Sequence, residues 1–334
     1  MDVADQKVAL ITGATSGIGL GLIEKLLKDR RNLHVCITGR NPEKLAGVLS
    51  TIKRRFPEAA VSSVVLDVSD ARSVLHAVEE IRKKFHRLDF LFLNAGMMPS
   101  SRMMWLNAIK GLFNGKIIHM FLTGEGMLDI AVDKKTRDGI SETFATNVFG
   151  HYLLVTELED LLGGFGADYT QIIWTSSGSA LRSAFDSSDI THLKGKQAYG
   201  SSKYCMDALS LTINEEWNCR GIYSHVVCPG TVLSSMTFAI LPSWFWYLLL
   251  PLFFLLRIIV RSFTLTLDAG TSGLVWLTKQ APDSLDYHQK IFTRATWFGT
   301  YLDFKKIDVD EATKELVHDQ LQLLRKRVLQ KIRG

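Results

Sequence analysis

Tyr199 and Lys203 stand four residues apart in AYGSSKY, a spacing that puts both side chains on one face of a helix. A phenol with an ordinary pKa near ~10 is a poor proton donor or acceptor at neutral pH. An ammonium a few ångström away favours the phenolate and lowers that pKa. Ser177 ends an upstream strand-like run, where its hydroxyl can hydrogen-bond the same reacting oxygen that the phenol would serve. Asn147, within TNVFG, interrupts an apolar helical run, and a mid-helix Asn is unfavourable enough to want a reason. Taken singly, each has a bland explanation: Tyr–Lys pairs at this spacing are common, and a Ser after a strand is usually a cap.

A second set binds rather than reacts. Thr12-Gly13-Ala14-Thr15-Ser16-Gly17-Ile18-Gly19 follows the first strand-like run and opens an amphipathic helix. Gly13, Gly17 and Gly19 provide a tight turn, close backbone approach to a pyrophosphate and a helix N-terminus aimed at the anion; Thr12, Ser16 and Ile18 belong to the same turn. The second strand run ends Thr38-Gly39-Arg40, where an acid would hold an adenosine ribose 2′-hydroxyl. Arg40 instead offers a planar fork to a 2′-phosphate, which favours NADPH/NADP+ over NADH. Asp67, ending the third run, is placed to accept from the adenine amino group. Asn94-Ala95-Gly96 supplies a small-residue shelf beside the cofactor, and Pro229-Gly230-Thr231 offers donors suited to a carboxamide. Open α/β sheets bind ligands at the carboxyl ends of their strands, and all of these residues lie there.

The elements that must position them alternate along the chain. Strand runs are read at 7–12, 33–38, 61–66, 89–93, 170–175, 223–228 and 298–304, near-continuously apolar as strands buried on both faces are. Helical windows fall at 17–29, 41–55, 70–86, 137–162, 198–218 and 268–280, with Asn41-Pro42 and Ser69/Asp70 as starts. The pattern predicts an α/β chain: a Rossmann-type doubly wound parallel sheet of about seven strands with right-handed crossovers. One domain is expected to span 1–308, with an insertion at about 98–136 and an apolar membrane-contacting loop at about 236–261. An amphipathic helix follows at 309–334, and its basic end (Arg325, Lys326, Arg327, Lys331, Arg333) is open to two readings, anionic lipid or a solvated helix end.

Composition excludes several classes. Of 334 residues 47% are hydrophobic and 22% charged, and a net charge of +5 without a basic patch argues against nucleic acid. Four cysteines without ligand spacing predict reduced thiols and no metal. The N-terminus lacks the basic and long apolar regions of a cleaved signal, and no N-x-[ST] acceptor occurs, which places the domain on the reducing, cytosolic side.

The charge is missing in one place: no residue between Arg220 and Arg257 is charged apart from the titratable His225. Phe238–Leu256 would run roughly 28 Å as a helix, with Trp244, Trp246 and Tyr247 near one end and Arg257 and Arg261 at the other. A single crossing would strand the later elements on the wrong side of the bilayer, and Pro242 and Pro251 interrupt a continuous helix. The expectation is a monotopic helical loop that roofs the substrate pocket, with an internal lid as the alternative. Trp105, Leu106, Ile109, Leu112 and Phe113 in the 103–121 segment form a candidate second contact, or a lid helix packed on the core.

In this order and at these strand ends, the motifs resemble the short-chain dehydrogenase/reductase family, from about Lys7 to about Phe304. The resemblance implies a catalytic tetrad of Asn147, Ser177, Tyr199 and Lys203. In it a hydride passes from the nicotinamide to a ketone carbon, Ser177 holds the carbonyl oxygen and Tyr199 gives the proton. Lys203 would lower the Tyr199 pKa and hold the nicotinamide ribose, while Asn147 positions a water that relays protons to Lys203. GLFNGKIIHMF (111–121), IIWTSSGSA (172–180) and AILPSWFW (239–246) are similar to a sterol-reducing branch of the family. That implies a 3-keto sterol or steroid ketone, estrone included, and the endoplasmic reticulum membrane with the catalytic domain facing the cytosol. Retinal or another hydroxysteroid as substrate, a non-catalytic NADPH-binding scaffold, and pairing into a homodimer stay open.

Overall fold

A computed structural model describes residues 6–30, 32–99, 101–114, 120, 128–130, 133–164, 169–195, 197–238 and 243–334. Its centre is an eight-stranded sheet ordered β10-β9-β8-β7-β4-β1-β2-β3. The strands are β1 (Lys7–Ile11), β2 (Leu33–Gly39), β3 (Val61–Val65), β4 (Phe90–Leu93), β7 (Thr170–Thr175), β8 (Ile222–Cys228), β9 (Gln289–Ala295) and β10 (Thr300–Lys306). β5 (Ser101–Met103) and β6 (Leu128–Ile130) form a separate antiparallel ribbon in the 98–136 insertion.

From β3 through β9 the pairing is parallel, so the chain crosses the sheet's faces through helices. α1 (Gly17–Asp29), α2 (Pro42–Arg55) and α3 (Ala71–Lys84) follow β1, β2 and β3. Asn41 caps α2 by accepting from the Lys44 N–H at 2.8 Å, and Asp70 rather than Ser69 caps α3. α4 (Trp105–Phe113) lies in the insertion. Its Leu106 and Phe113 are exposed, while the side chains of Trp105, Ile109 and Leu112 lie outside the described residues. Glu142–Phe144, a π-helical turn Ala145–Phe149 and Gly150–Glu157 run on as α5. α6 (Ala198–Trp217) carries the Tyr199–Lys203 pair.

The strand count was short by one, and the last pairing is antiparallel. β9 reads QKIFTRA, whose Lys290 and Arg294 break the apolar pattern, although Lys290 is only 5% exposed. The strand expected at 298–304 starts at Thr300, because Phe298 and Gly299 form the turn from β9.

The apolar stretch folds as α7 (Ser243–Leu256), 14 residues or roughly 21 Å, short of a ~30 Å bilayer core. No helix among the described residues is long and apolar enough to cross a membrane. Trp246, Phe253, Val260, Phe263 and Leu265 bury one face of α7 and the turn after it in a small separate core. Pro251 sits inside the helix rather than ending it, and Pro242 lies outside the described residues. Arg257 is also not a surface anchor: it is buried, with Nε donating to the Phe263 carbonyl at 2.7 Å and the guanidinium 4.3 Å from the Phe254 ring. The chain then returns to the body: α8 (Leu267–Leu277) packs on α1, and β9 pairs with β8. α9 (Glu311–Arg333) docks on α6 through Val317, Leu321, Val328 and Leu329. Of its basic end, Arg325 pairs with Glu157 at 2.5 Å.

Candidate active site

The carboxyl ends of β1, β2, β4, β7 and β8 border one cleft of about 800 Å³. Gly13, Ser16, Gly17, Ile18 and Arg40 line it at one end; Asp67, Asn94, Ala95 and Gly96 follow; Ser177, Tyr199, Lys203, Pro229, Gly230 and Thr231 line the other. A second cavity of about 860 Å³, between α5, α6 and α9, contains none of these residues.

The first end fits a dinucleotide. Gly13 has φ +65°, and a Cβ there would sit 2.7 Å from the Ala95 Cα. A Cβ on Gly19 would meet the Gly13 carbonyl oxygen at 2.4 Å, so α1 can start this close to the turn only with glycine. Ser16 caps α1 in an extended conformation but makes no side-chain cap hydrogen bond. The first-turn N–H groups of α1 therefore face the cleft as an anion site. Arg40 is exposed at the end of β2, where a 2′-phosphate would lie, and the Asp67 Oδ1 is held by Ser69 at 2.7–2.9 Å.

At the other end, α6 starts beside β7. Burial pushes the Tyr199 phenol up to about 12, and a hydrogen bond from Ser177 pulls the other way. Lys203 is buried, its ammonium donates to the Thr175 carbonyl at 2.7 Å, and it stands 5.7 Å from the Tyr199 ring. Burial pulls its own pKa down to about 7; Asp207 opposes this and Lys290 adds to it. The expected lowering of the Tyr199 pKa by Lys203 is thus not what this geometry gives. The phenol's desolvation dominates and makes Tyr199 a weaker acid than usual, so proton donation relies on the Ser177 hydrogen bond and on the Lys203 ammonium stabilising the tyrosinate that forms.

A family model described as short chain dehydrogenase matches residues 7–242. The chain belongs to the short-chain dehydrogenase family. It is 45% identical over 324 residues to the human 3-keto-steroid reductase/17-beta-hydroxysteroid dehydrogenase 7, covering 97% of this chain and 94% of that protein. The Rattus norvegicus protein of the same name is 44% identical, covering 97% and 96%. Among solved structures, an alcohol dehydrogenase from Thermococcus sibiricus complexed with 5-hydroxy-NADP shares the fold with a TM-score of 0.58 and 18% identity, covering 87% of this chain and 97% of that one.

Within this short-chain dehydrogenase, three expected site residues stand behind the cleft wall rather than in it. Thr12 is fully buried; its hydroxyl accepts from the backbone N–H of Asn94 and Ala95 at 2.9 and 3.0 Å and meets His151 Nε2 at 2.9 Å. Gly19 serves the turn through its lack of a side chain. Asn147 is fully buried in the π-turn: Oδ1 accepts from the Met97 N–H at 2.8 Å, and Nδ2 donates to the Met97 carbonyl at 3.0 Å and Ser202 Oγ at 2.9 Å. Its amide is spent on the protein and ties the Gly96–Met97 shelf to α6. The Asn94 side chain lines the cleft yet likewise donates to the Thr12 carbonyl at 3.0 Å, pinning the glycine turn.

The sequence reading missed a buried charge cluster under Ser177. Lys290 of β9 donates to Asp207 Oδ2 at 2.7 Å, Ser176 Oγ at 2.9 Å and the Ser177 carbonyl at 2.6 Å. Ser176 donates to the other Asp207 oxygen at 2.6 Å. Asp207 lies one turn beyond Lys203 on α6, so the cluster ties the end of β7, which presents Ser177, to the helix that presents Tyr199 and Lys203. Asp207 at four-residue spacing from Lys203 was a visible signal; its partner Lys290, far along the chain, was not.

Proposed function

We propose that the chain is an NADPH-dependent ketone reductase acting on the 3-keto group of sterol intermediates after C4 demethylation, and on estrone. The observation that carries this reading is the convergence of Ser177, Tyr199 and Lys203 on one cleft, in a chain 45% identical over 97% of its length to a 3-keto-steroid reductase. Met97, Met98, Pro99, Val232 and Met236 line the cleft as well, an apolar surround suited to a steroid body.

The glycine turn and the N-terminus of α1 would hold the pyrophosphate, Arg40 the 2′-phosphate, and Lys203 the nicotinamide ribose. When bound, NADPH supplies the hydride for the carbonyl carbon. Ser177 donates to the carbonyl oxygen and orients it, and Tyr199 gives up its proton as charge develops there. Lys203 stabilises the tyrosinate that results. Asn147 and the Lys290–Asp207 cluster fix the walls on which these groups stand.

The protein is proposed to sit on the endoplasmic reticulum membrane through residues 238–256, with its catalytic domain facing the cytosol. The exposed outer side of α7, opposite its small buried core, supports the lipid contact.

Purified protein given NADPH and, in parallel, a 4-methyl-3-keto sterol, estrone and retinal tests the substrate. The sterol is expected to be turned over with the highest kcat/KM. Preference for retinal would move the protein to another branch, and tight NADPH binding with no ketone turned over would make it a scaffold.

A further inference from the structure

The turn between β9 and β10 carries Trp297 and Phe298, 59% and 101% exposed. A wholly exposed Phe at a loop tip has no folding role, since it buries nothing. The tip is also held in place: Trp297 Nε1 donates to the Phe254 carbonyl at 2.8 Å, and the Ala295 N–H donates to the Arg261 carbonyl at 2.8 Å. Both bonds join the hairpin to the C-terminal end of α7 and the turn after it. On α7 and that turn, Trp244, Tyr247, Leu248, Leu252, Leu255, Ile258 and Ile259 are exposed. Trp244, Tyr247, Leu248, Leu252 and Leu255 fall at helical spacing on one side of α7, Ile258 and Ile259 follow in the turn, and the two bonds set the hairpin tip beside them.

Neither 217–267 nor 289–302 contains an acidic residue, while exposed Arg261 donates to the Tyr301 hydroxyl at 3.3 Å beside the hairpin. Large exposed apolar patches mark interaction surfaces, and aromatic residues with a cationic rim suit the headgroup region of a bilayer. The surface also connects to the cleft: Trp246 Nε1 of α7 donates to the Thr237 carbonyl at 3.0 Å, and Met236 and Thr237 line the cleft.

The geometry points to Trp297 and Phe298 as a second foot of a membrane-docking platform, set beside α7, that seats the mouth of the cleft on an anionic bilayer surface. The inference rests on the proposed reduction of a membrane-dissolved ketone and adds how that ketone reaches the site. A sterol leaving the bilayer beside the two feet meets the Met236–Thr237 wall without crossing water.

Flotation of the full-length protein with phosphatidylcholine vesicles, with and without phosphatidylserine, tests it. Phe298→Glu and Trp297→Ala are each expected to lower vesicle partitioning about tenfold, equal to about 1.4 kcal/mol. Leu323→Glu, on the exposed side of α9, is expected to change nothing. Phe298→Glu should raise the KM for a vesicle-borne 3-keto sterol several-fold and leave kcat with a detergent-dispersed ketone unchanged. Unchanged partitioning in both hairpin variants overturns the inference, as does a wild-type dimer broken by Phe298→Glu in a protein that ignores vesicles. If no ketone is reduced by any form while partitioning still follows the hairpin, the reductase reading fails and the docking inference stands.

Discussion

Replacing Lys290 by methionine removes a buried cation while keeping most of its volume. Asp207, with a side chain only 5% exposed, is left with Ser176 Oγ at 2.6 Å as its remaining partner in the cluster. Removing one member of a buried pair costs about 3–5 kcal/mol, because the other charge stays desolvated. Part of that cost is relieved when Asp207, whose pKa burial already raises, takes up a proton. The Ser177 carbonyl also loses a hydrogen bond from a charged donor, about 1.5–3 kcal/mol. If that energy is what holds Ser177 against Tyr199, kcat falls roughly 10–100-fold. Urea denaturation and NADPH-coupled turnover read the two effects separately. The paired variant Lys290→Met/Asp207→Leu should recover most of the stability, since well-packed apolar replacements of a buried pair are often neutral or better. It should not recover kcat, because nothing then holds the Ser177 carbonyl. A single variant within about 1 kcal/mol and twofold of wild type in both assays would refute this reasoning.

Arg40→Ala should weaken NADPH binding roughly 10–100-fold, the loss of one charged contact, and leave NADH binding nearly unchanged; calorimetric titration with both nucleotides checks this. Stability should fall with acid. Burial lowers the pKa of His151 to about 3 and of His225 to about 4, so between those values and the unfolded value of ~6.5 the unfolded chain binds protons that the fold excludes. Stability therefore rises with pH in that window. Acidifying from pH 6.5 to 5 should cost about 1.5 kcal/mol for each of these two histidines, and His225→Gln should remove one such contribution from the slope in pH-dependent urea melts.

Much of this was legible in the sequence, because parallel strands buried on both faces leave continuous apolar runs and helix starts carry caps. β9 escaped for a physical reason: Lys290 is a buried charge, tolerated by partners from β7 and α6 that no local pattern reveals. Cleft residues were found by their place at strand ends, but position along the chain does not tell the front of a wall from its back. Thr12 and Asn147 sit at the right strand and helix and turn their polar atoms inward. Arg257 had the look of a headgroup anchor at the end of an apolar run, until the chain's turn gave its guanidinium a carbonyl to bind. The lowering of the Tyr199 pKa was argued from a charge, and burial outweighed it.

The most direct test of the account is the turnover of a 4-methyl-3-keto sterol by wild type and Tyr199→Phe, followed as NADPH oxidation, with NADPH affinity measured on both. The account predicts measurable reduction by wild type, a loss of about a thousandfold or more in the variant, and NADPH affinity within a few-fold. Equal turnover by both proteins, or none by wild type while it binds NADPH, would contradict it.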